Sequence, residues 1–413
     1  VNPKSLHLFE AVGIELEYMI VDARSLAVMP AADRVLAAAA GTIVSEVELG
    51  PLAWSNELVL HVIELKTNGP ARRLRGLGSL FQDHVRRIAG ILQPLGGRLM
   101  PTGCHPWMNP LTETVLWPHE YSPVYEAYDR IFGCRGHGWS NLQSLHINLP
   151  FHGDDEFARL HAAIRCLLPI MPALTAASPI LDGRGTGFLD SRMEVYRHNA
   201  DRFASIAGQI VPEPVYSQAA YDRTIFRRMY TDIAPLDPEG ILRHPFLNSR
   251  GAIARFDRGA IEIRVLDMQE QPQADLAAAA LIQAALKALS GERWLPLNAV
   301  QQMDTQRLAD LLLAVIRDAD QAVIADSGYL QALGLTSQKC TAREIWQHLA
   351  AACLAAEDMD AGMSAALTIL LEKGCLARRI VAALDGDVRW GRLFEIYRAL
   401  CDCLDQGKMF EKV

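Results

Sequence analysis

Near its start the chain alternates apolar and acidic positions. In Gly13-Ile14-Glu15-Leu16-Glu17-Tyr18-Met19-Ile20, the residues Leu16, Tyr18 and Ile20 share one side and Glu15 and Glu17 the other, because strand side chains point to opposite faces with period two. The pattern predicts a long strand over residues 9–22. Further strand patterns lie at 41–48 and 57–66, joined by a hairpin-like return through Gly50-Pro51, and at 96–102 and 142–151. Residues 252–267 read as two short strands around the turn Asp257-Arg258-Gly259. Elsewhere the spacing changes to 3–4. Leu74, Leu77, Phe81, Val85, Ile88 and Leu92 mark an amphipathic helix over 70–93, and helices are expected at 155–178 and over the alanine-rich 274–290. Residues 211–250 are rich in proline and aromatics without a clean period, as in a lid or binding loop. Beyond 301 the pattern is helical, near 304–325, 341–356, 361–385 and 388–405.

Strands follow strands as often as helices do. That favours an α+β fold, an antiparallel β-sheet with helices packed on its other side, over a doubly wound parallel sheet. The expected division is a catalytic sheet region over 1–290 and a helical C-terminal region over 291–413 packed on the same domain. The helical end has the apolar character to cover the back of the sheet or to make a contact between subunits of a homo-oligomer.

Acidic residues inside apolar strands are the informative feature. Glu15 and Glu17 share a face, Glu57 and Glu64 bracket the apolar run Leu58–Ile63, and Glu262 lies in Ile261-Glu262-Ile263-Arg264 with Arg264 on its own face. His146 and Asn148 share a face of a fourth segment. Alternating glutamate is also what the wet side of an antiparallel sheet shows. Five acids from three segments, with His146 and Arg264, point instead to a sheet face lined with ligands, since a buried carboxylate needs a partner or a metal. Oxygen donors with one imidazole suit Mg²⁺ or Mn²⁺. Glu57 and Glu64 stand seven apart, so a regular strand cannot present both on one side; Glu57 belongs in a loop, or a bulge intervenes. Arg192 is a candidate for phosphate or for a surface pair with Glu194 or Asp190. His105 either orients substrate or caps the turn before Pro106. Arg255 and Arg258 flank the turn before Glu262 and either touch phosphate or lie solvated. His61 reads as a core histidine, and Asp267 as a fastener of the strand end.

Composition narrows the classes. Of 413 residues 50% are hydrophobic and 21% charged, which excludes disorder. A net charge of −8 argues against a nucleic-acid surface. No uninterrupted apolar run long enough to span a bilayer is evident, and Val1–Leu6 does not read as a secretory signal. The eight cysteines contain no C-x-x-C and are expected to be reduced thiols of a cytoplasmic protein. Neither a P-loop nor a G-x-G-x-x-G turn is present, so any ATP is held in another way.

The ordered set Gly13-x-Glu15-x-Glu17, Glu57 with Glu64, Gly103-x-His105-Pro106, the His146 strand, Thr186-Gly187-Phe188 with Arg192, and Gly259-x-Ile261-Glu262-Ile263-Arg264-x-x-Asp267 resembles the glutamate–cysteine ligase family 2. The resemblance covers about residues 9–290 and extends loosely to Leu371-Glu372-Lys373-Gly374 and Arg378-Arg379. It implies a glutamine-synthetase-like catalytic fold and ATP-dependent amide formation through a γ-glutamyl phosphate, onto cysteine or another small amine. It further implies Mg²⁺ on Glu15, Glu17, Glu57, Glu64, His146 and Glu262, with Arg192 and Arg264 turned to phosphate or substrate carboxylate; Mn²⁺ is the alternative ion, and Arg255 and His105 are, from their positions, the candidates for contact with the nucleotide. The partners are then small molecules, with no nucleic acid and no membrane. The chain departs from the family pattern at Cys104, at Pro106-Trp107, after Arg192 and across 211–250, where the amino-acid substrates are expected. Two other readings remain: a metal-dependent phosphotransferase, and a nucleotide-binding protein with little turnover.

Overall fold

A computed structural model describes residues 6–355 and 359–411. The N-terminal residues 1–5 and the end of the helix expected over 341–356 lie outside them. Eight strands form one sheet: β1 Gly13–Asp22, β2 Glu46–Leu49, β3 Leu52–Asn56, β4 Val62–Thr67, β5 Gly97–Met100, β6 Ser144–Pro150, β7 Ala252–Arg255 and β8 Ala260–Asp267. Their order is β2-β3-β4-β1-β6-β8-β7, with β5 on the second half of β1. Every pairing is antiparallel. Six helices matter for the site: α1 Leu77–Leu92, α2 Gly153–Leu167, α3 Ser191–Tyr196, α4 Pro272–Ser290, α5 Leu376–Leu384 and α6 Trp390–Gln406.

The period-two pattern decides which face is which. Ile14, Leu16, Tyr18 and Ile20 of β1, Ile63 and Leu65 of β4, Leu145, Ile147 and Leu149 of β6, and Ile261 and Ile263 of β8 are fully buried. They share one core with Phe81, Val85 and Ile88 of α1, Phe157 and Ile164 of α2, and Leu276 of α4. The opposite face carries Glu15 and Glu17 in the first half of β1. It then turns apolar at Met19 and Val21, which join a second core with Leu376 and Ile380 of α5 and Leu393, Ile396 and Leu400 of α6. The expectation that helices stand only behind the sheet is thus corrected: α5 and α6 close the far end of the carboxylate face, and Arg98 of β5 donates to Asp402 and Asp405 of α6, at 2.7 Å each.

Other boundaries also shift. Gly50-Pro51 turns the chain as expected, but the returning strand is 52–56. Residues 57–61, strand-like in sequence, form a buried loop whose backbone bonds 115–117, with Leu60 N–H donating to the Val115 carbonyl at 2.9 Å and Trp117 N–H to the Leu58 carbonyl at 3.0 Å. The helix expected over 361–385 breaks at Gly374, whose φ of +92° favours glycine. Among the described residues one run, Gly153–Thr175, is long and apolar enough to cross a membrane, where none was expected, and 89% of its most apolar stretch is buried inside the protein.

Candidate active site

Cross-strand register assembles the site. Glu17 lies opposite Glu64, Glu15 opposite Lys66 on one side and His146 on the other, and Asn148 opposite Glu262. Ser55 is the partner of Glu64 on β3. The register of β8 against β6 shifts between Ile263 and Leu266, a bulge that sets Arg264 beside His146. Glu57 follows directly on β3, which settles the seven-residue puzzle: it reaches the face from a loop. Glu15, Glu17, Ser55, Glu57, Glu64, Lys66, His146, Glu262 and Arg264 line one cavity of about 590 Å³. Its far wall comes from 121–139 and the irregular 211–250 segment, including Tyr125, Tyr128, Trp139 and Phe246.

His146 is the hub. Its Nδ1 lies 2.9 Å from Glu15, and its Nε2 lies 2.9 Å from Ser144 Oγ and 3.8 Å from Glu17. Ser144 donates to Glu17 through its backbone N–H at 2.7 Å and its hydroxyl at 2.8 Å. Asn148 donates to Glu15 at 3.0 Å, and Ser55 to Glu64 at 2.6 Å. Lys66 bridges Glu46 at 2.7 Å and Glu64 at 3.2 Å. Arg264 pairs with Glu262, and Arg255 approaches the same carboxylate at 3.6 Å.

The charges do not balance, and the carboxyls respond. Burial and the neighbouring Glu17, Glu64 and Glu15 push Glu57 well above the usual carboxylate range. Burial and Glu15 raise Glu64 to about 7, against the pull of Lys66. Burial alone would raise Glu15 too, but the hydrogen bond and charge of His146 hold it down at about 2. Burial alone would lower His146, but Glu17 and Glu15 raise it. A cation placed among the acids relieves this crowding. Two sets of donor atoms lie within 4.8 Å of one another: Glu15, His146 and Glu262, and Glu17, Glu64 and His146. Hard oxygens with a single imidazole fit Mg²⁺ or Mn²⁺.

Of the expected site residues, Glu15, Glu17, Glu57, Glu64, His146, Glu262, Arg192, Arg255 and Arg264 all border the cavity. Arg192, at the start of α3, is held at 2.5 Å by Asp267, while its Nη2 is buried and, among the described residues, has no hydrogen-bond partner. A surface pair is thereby excluded for it. Asp267 indeed fastens structure: it also accepts from Ala177 N–H and Ser178 Oγ, each at 2.7 Å. His105 is the correction. It is fully buried and outside the cavity lining. Its Nε2 donates to the Leu26 carbonyl at 2.7 Å and its Nδ1 accepts from Trp107 N–H at 3.3 Å, while burial lowers it to about 4. A neutral imidazole with both nitrogens engaged is a loop fastener. His61 is likewise buried, on the Ser140 carbonyl at 2.8 Å. Ser144, Ser55 and the aromatic wall were missed. Ser144 was within reach, standing two residues before His146 on the same face.

The glutamate–cysteine ligase family 2 model matches residues 11–396. An uncharacterized protein of Archaeoglobus fulgidus is 33% identical over 75% of this chain and 84% of its own length. A protein of Rubrobacter xylanophilus provisionally named glutamate–cysteine ligase 2-3 is 29% identical over 66% of this chain and 68% of its own. Among solved structures, the glutamate–cysteine ligase of Francisella tularensis in complex with AMP aligns with TM-score 0.59 at 12% identity, over 98% of this chain and 89% of that one. A bifunctional glutathione synthetase from Pasteurella multocida aligns with TM-score 0.54 at 15% identity over 96% of this chain, which spans about half of that enzyme, 52%. At these identities the structures speak for the fold.

Proposed function

Since the chain belongs to the glutamate–cysteine ligase family 2, we propose that it is an ATP-dependent carboxylate–amine ligase working with Mg²⁺ or Mn²⁺, with glutamate as the acid and cysteine or another small amine as acceptor. The observation that carries the reading is the two donor sets sharing His146 on one face of a single cavity. The glutamine-synthetase-like description of the fold, and the assignment of 291–413 as a helical region packed on the catalytic sheet region of residues 1–290, belong to the same reading. The buried pairing of Arg379 with Glu270 across that boundary supports the latter.

A carboxylate is a poor electrophile. Transfer of the γ-phosphoryl group of ATP to it gives an acyl phosphate; the amine then forms the C–N bond as the C–O bond to phosphate breaks. Such transfer demands positioning and charge stabilisation. Either Glu15, His146 and Glu262, or Glu17, Glu64 and His146, would hold a divalent ion through one imidazole nitrogen, with Glu57 and the remaining acids left to a second ion. When bound, these ions neutralise charge on phosphate oxygens as Lewis acids. Arg264 and Arg255, both on the β7–β8 hairpin, offer planar donor forks to the transferring group. Arg192, which also borders the cavity, would add a further positive charge facing an anionic substrate. Tyr125, Tyr128, Trp139 and Phe246 keep water from the acyl phosphate.

The test is a screen of acid–amine pairs with ATP and Mg²⁺ or Mn²⁺, scored by ADP release and by mass of the product. ADP and phosphate appearing only with acid, amine and metal together, with an amide product, is the expected result. A stable phosphorylated product without amide, or no ADP from any pair, overturns the reading.

A further inference from the structure

A second hollow of about 450 Å³ shares no residue with the carboxylate cavity. Its floor is apolar and small: Ala280, Ala284 and Ala288 recur at i, i+4 and i+8 along α4, flanked by Phe9, Leu74 and Cys353. Its rim is cationic: Arg72, Arg73 and Arg75 from the loop before α1, Lys287 of α4 and Arg293 beyond it. Among the described residues no aspartate or glutamate lines it. Among the described residues these five cations form no ion pair; Arg293 only lies over the Trp294 ring, 5.8 Å from its centre. All five are exposed.

This arrangement is not what the composition supplies. The chain carries a net charge of −8, and several of its other surface arginines sit against a carboxylate, as Arg86 does with Asp83 and Arg389 with Asp387. Five like charges around one concavity repel one another, and the repulsion is relieved when an anion enters. A single carboxylate is too weakly charged to match them. A phosphate chain carries several charges, and guanidinium forks fit its oxygens. The volume lies in the range of small-molecule sites, roughly 300–1,000 Å³, and the alanine floor leaves room for an organic part.

We propose that this hollow is a binding site for a phosphorylated small molecule, with the phosphates on Arg72, Arg73, Arg75, Lys287 and Arg293 and the organic moiety on the floor of α4. It is separate from the proposed ligase reaction and stands whether or not that reading holds.

Metal-free conditions isolate it. In EDTA the carboxylate cavity repels phosphate, whereas the cationic rim needs no metal. ADP and pyrophosphate are titrated calorimetrically into the full chain in EDTA at low salt. A triple variant, Arg72→Ser, Arg73→Ser and Lys287→Ser, changes exposed positions only. A control, Arg24→Ser, Arg223→Ser and Arg228→Ser, removes the same charge elsewhere on the exposed surface. The expected result is one ADP site, weakened at least tenfold in the triple variant and less than twofold in the control, with pyrophosphate at least threefold weaker than ADP. Absence of ADP binding, or binding unchanged in the triple variant, overturns the site. Equal weakening in the control reduces it to bulk charge and overturns it too. Pyrophosphate binding as tightly as ADP overturns the role of the floor.

Discussion

Glu15 and Glu64 lie on neighbouring strands of one sheet face, yet their carboxyls sit far apart, at about 2 and about 7. The difference is the company each keeps: Glu15 has His146 at 2.9 Å, while Glu64 shares Lys66 with Glu46. Glu17 is the cleanest place to remove charge without removing structure. It accepts from the Ser144 backbone and hydroxyl, and the carbonyl oxygen of a glutamine accepts the same two bonds. Glu17→Gln is therefore expected to keep its fold by circular dichroism, to melt no lower in EDTA because repulsion with Glu57 falls, and to lose turnover by about 100-fold or more. Full turnover in a folded Glu17→Gln protein would sink the metal role. A second residue-scale prediction concerns acid. Burial, opposed only by the Ser140 carbonyl, lowers His61 from 6.5 to about 4. The unfolded chain then binds the proton more readily than the folded one. The stabilisation from the neutral ring is complete above pH 6.5 and is lost as pH falls toward 4, amounting to about 3 kcal/mol at pH 4. His61→Gln, which keeps a donor for that carbonyl, should show a shallower acid limb in urea melts run from pH 7 to 4; an unchanged limb refutes the assignment.

At the scale of elements, period two was enough to put Glu15 with Glu17, His146 with Asn148 and Glu262 with Arg264 on common faces. It was silent on which strands are neighbours, because register is a tertiary property. It also mistook 57–61 for strand. Leu58, Val59 and Leu60 have strand-like apolarity, but the segment bonds to 115–117, with Leu58 and Val59 packed on the second core and Leu60 in the first, and this is why Glu57 arrives from a loop. The sequence could not choose between the two readings of His105, a ligand contact or a turn cap, for a similar reason: the histidine of a G-x-H-P turn is marked in sequence, but the Leu26 carbonyl that claims it comes from 79 residues away. The loop after β5 makes a further contact that can be tested. A Cβ on Gly103 would overlap the carboxylate of Asp267, the group that holds Arg192, Ala177 and Ser178. Gly103→Ala should destabilise by about 1–3 kcal/mol through overpacking. Under the proposed function, in which Arg192 faces the anionic substrate, it should also weaken substrate binding, seen as a raised KM at a temperature where the variant remains folded. A variant with unchanged melting and KM would show that the strand end yields freely.

For the molecule as a whole, the question is what fixes the helical end to the sheet. The apolar contribution is Met19 and Val21 against α5 and α6. The polar one is a fully desolvated latch: Arg379 of α5 pairs with Glu270, just beyond β8, and the two together hold the backbone of Phe410, whose carbonyl accepts from Arg379 at 2.7 Å and whose N–H reaches Glu270 at 3.1 Å. A buried pair of this kind gives little net stability over an apolar replacement, but losing one partner strands the other charge. Arg379→Ala is thus expected to cost about 3–5 kcal/mol and to loosen both cores, because α5 and α6 share one packing surface with β1. Arg379→Met combined with Glu270→Leu should recover most of that loss by filling the same volume without charge. The residual deficit, from the two unpaired backbone groups of Phe410, should be about 1–3 kcal/mol. Urea denaturation of the two variants decides it: if the double variant is as unstable as Arg379→Ala, the latch stabilises by its charge rather than by its packing. Since Met19 and Val21 continue the strand that presents Glu15 and Glu17, a loosened helical end should also lower metal affinity, measured as a smaller rise in melting temperature on adding Mn²⁺.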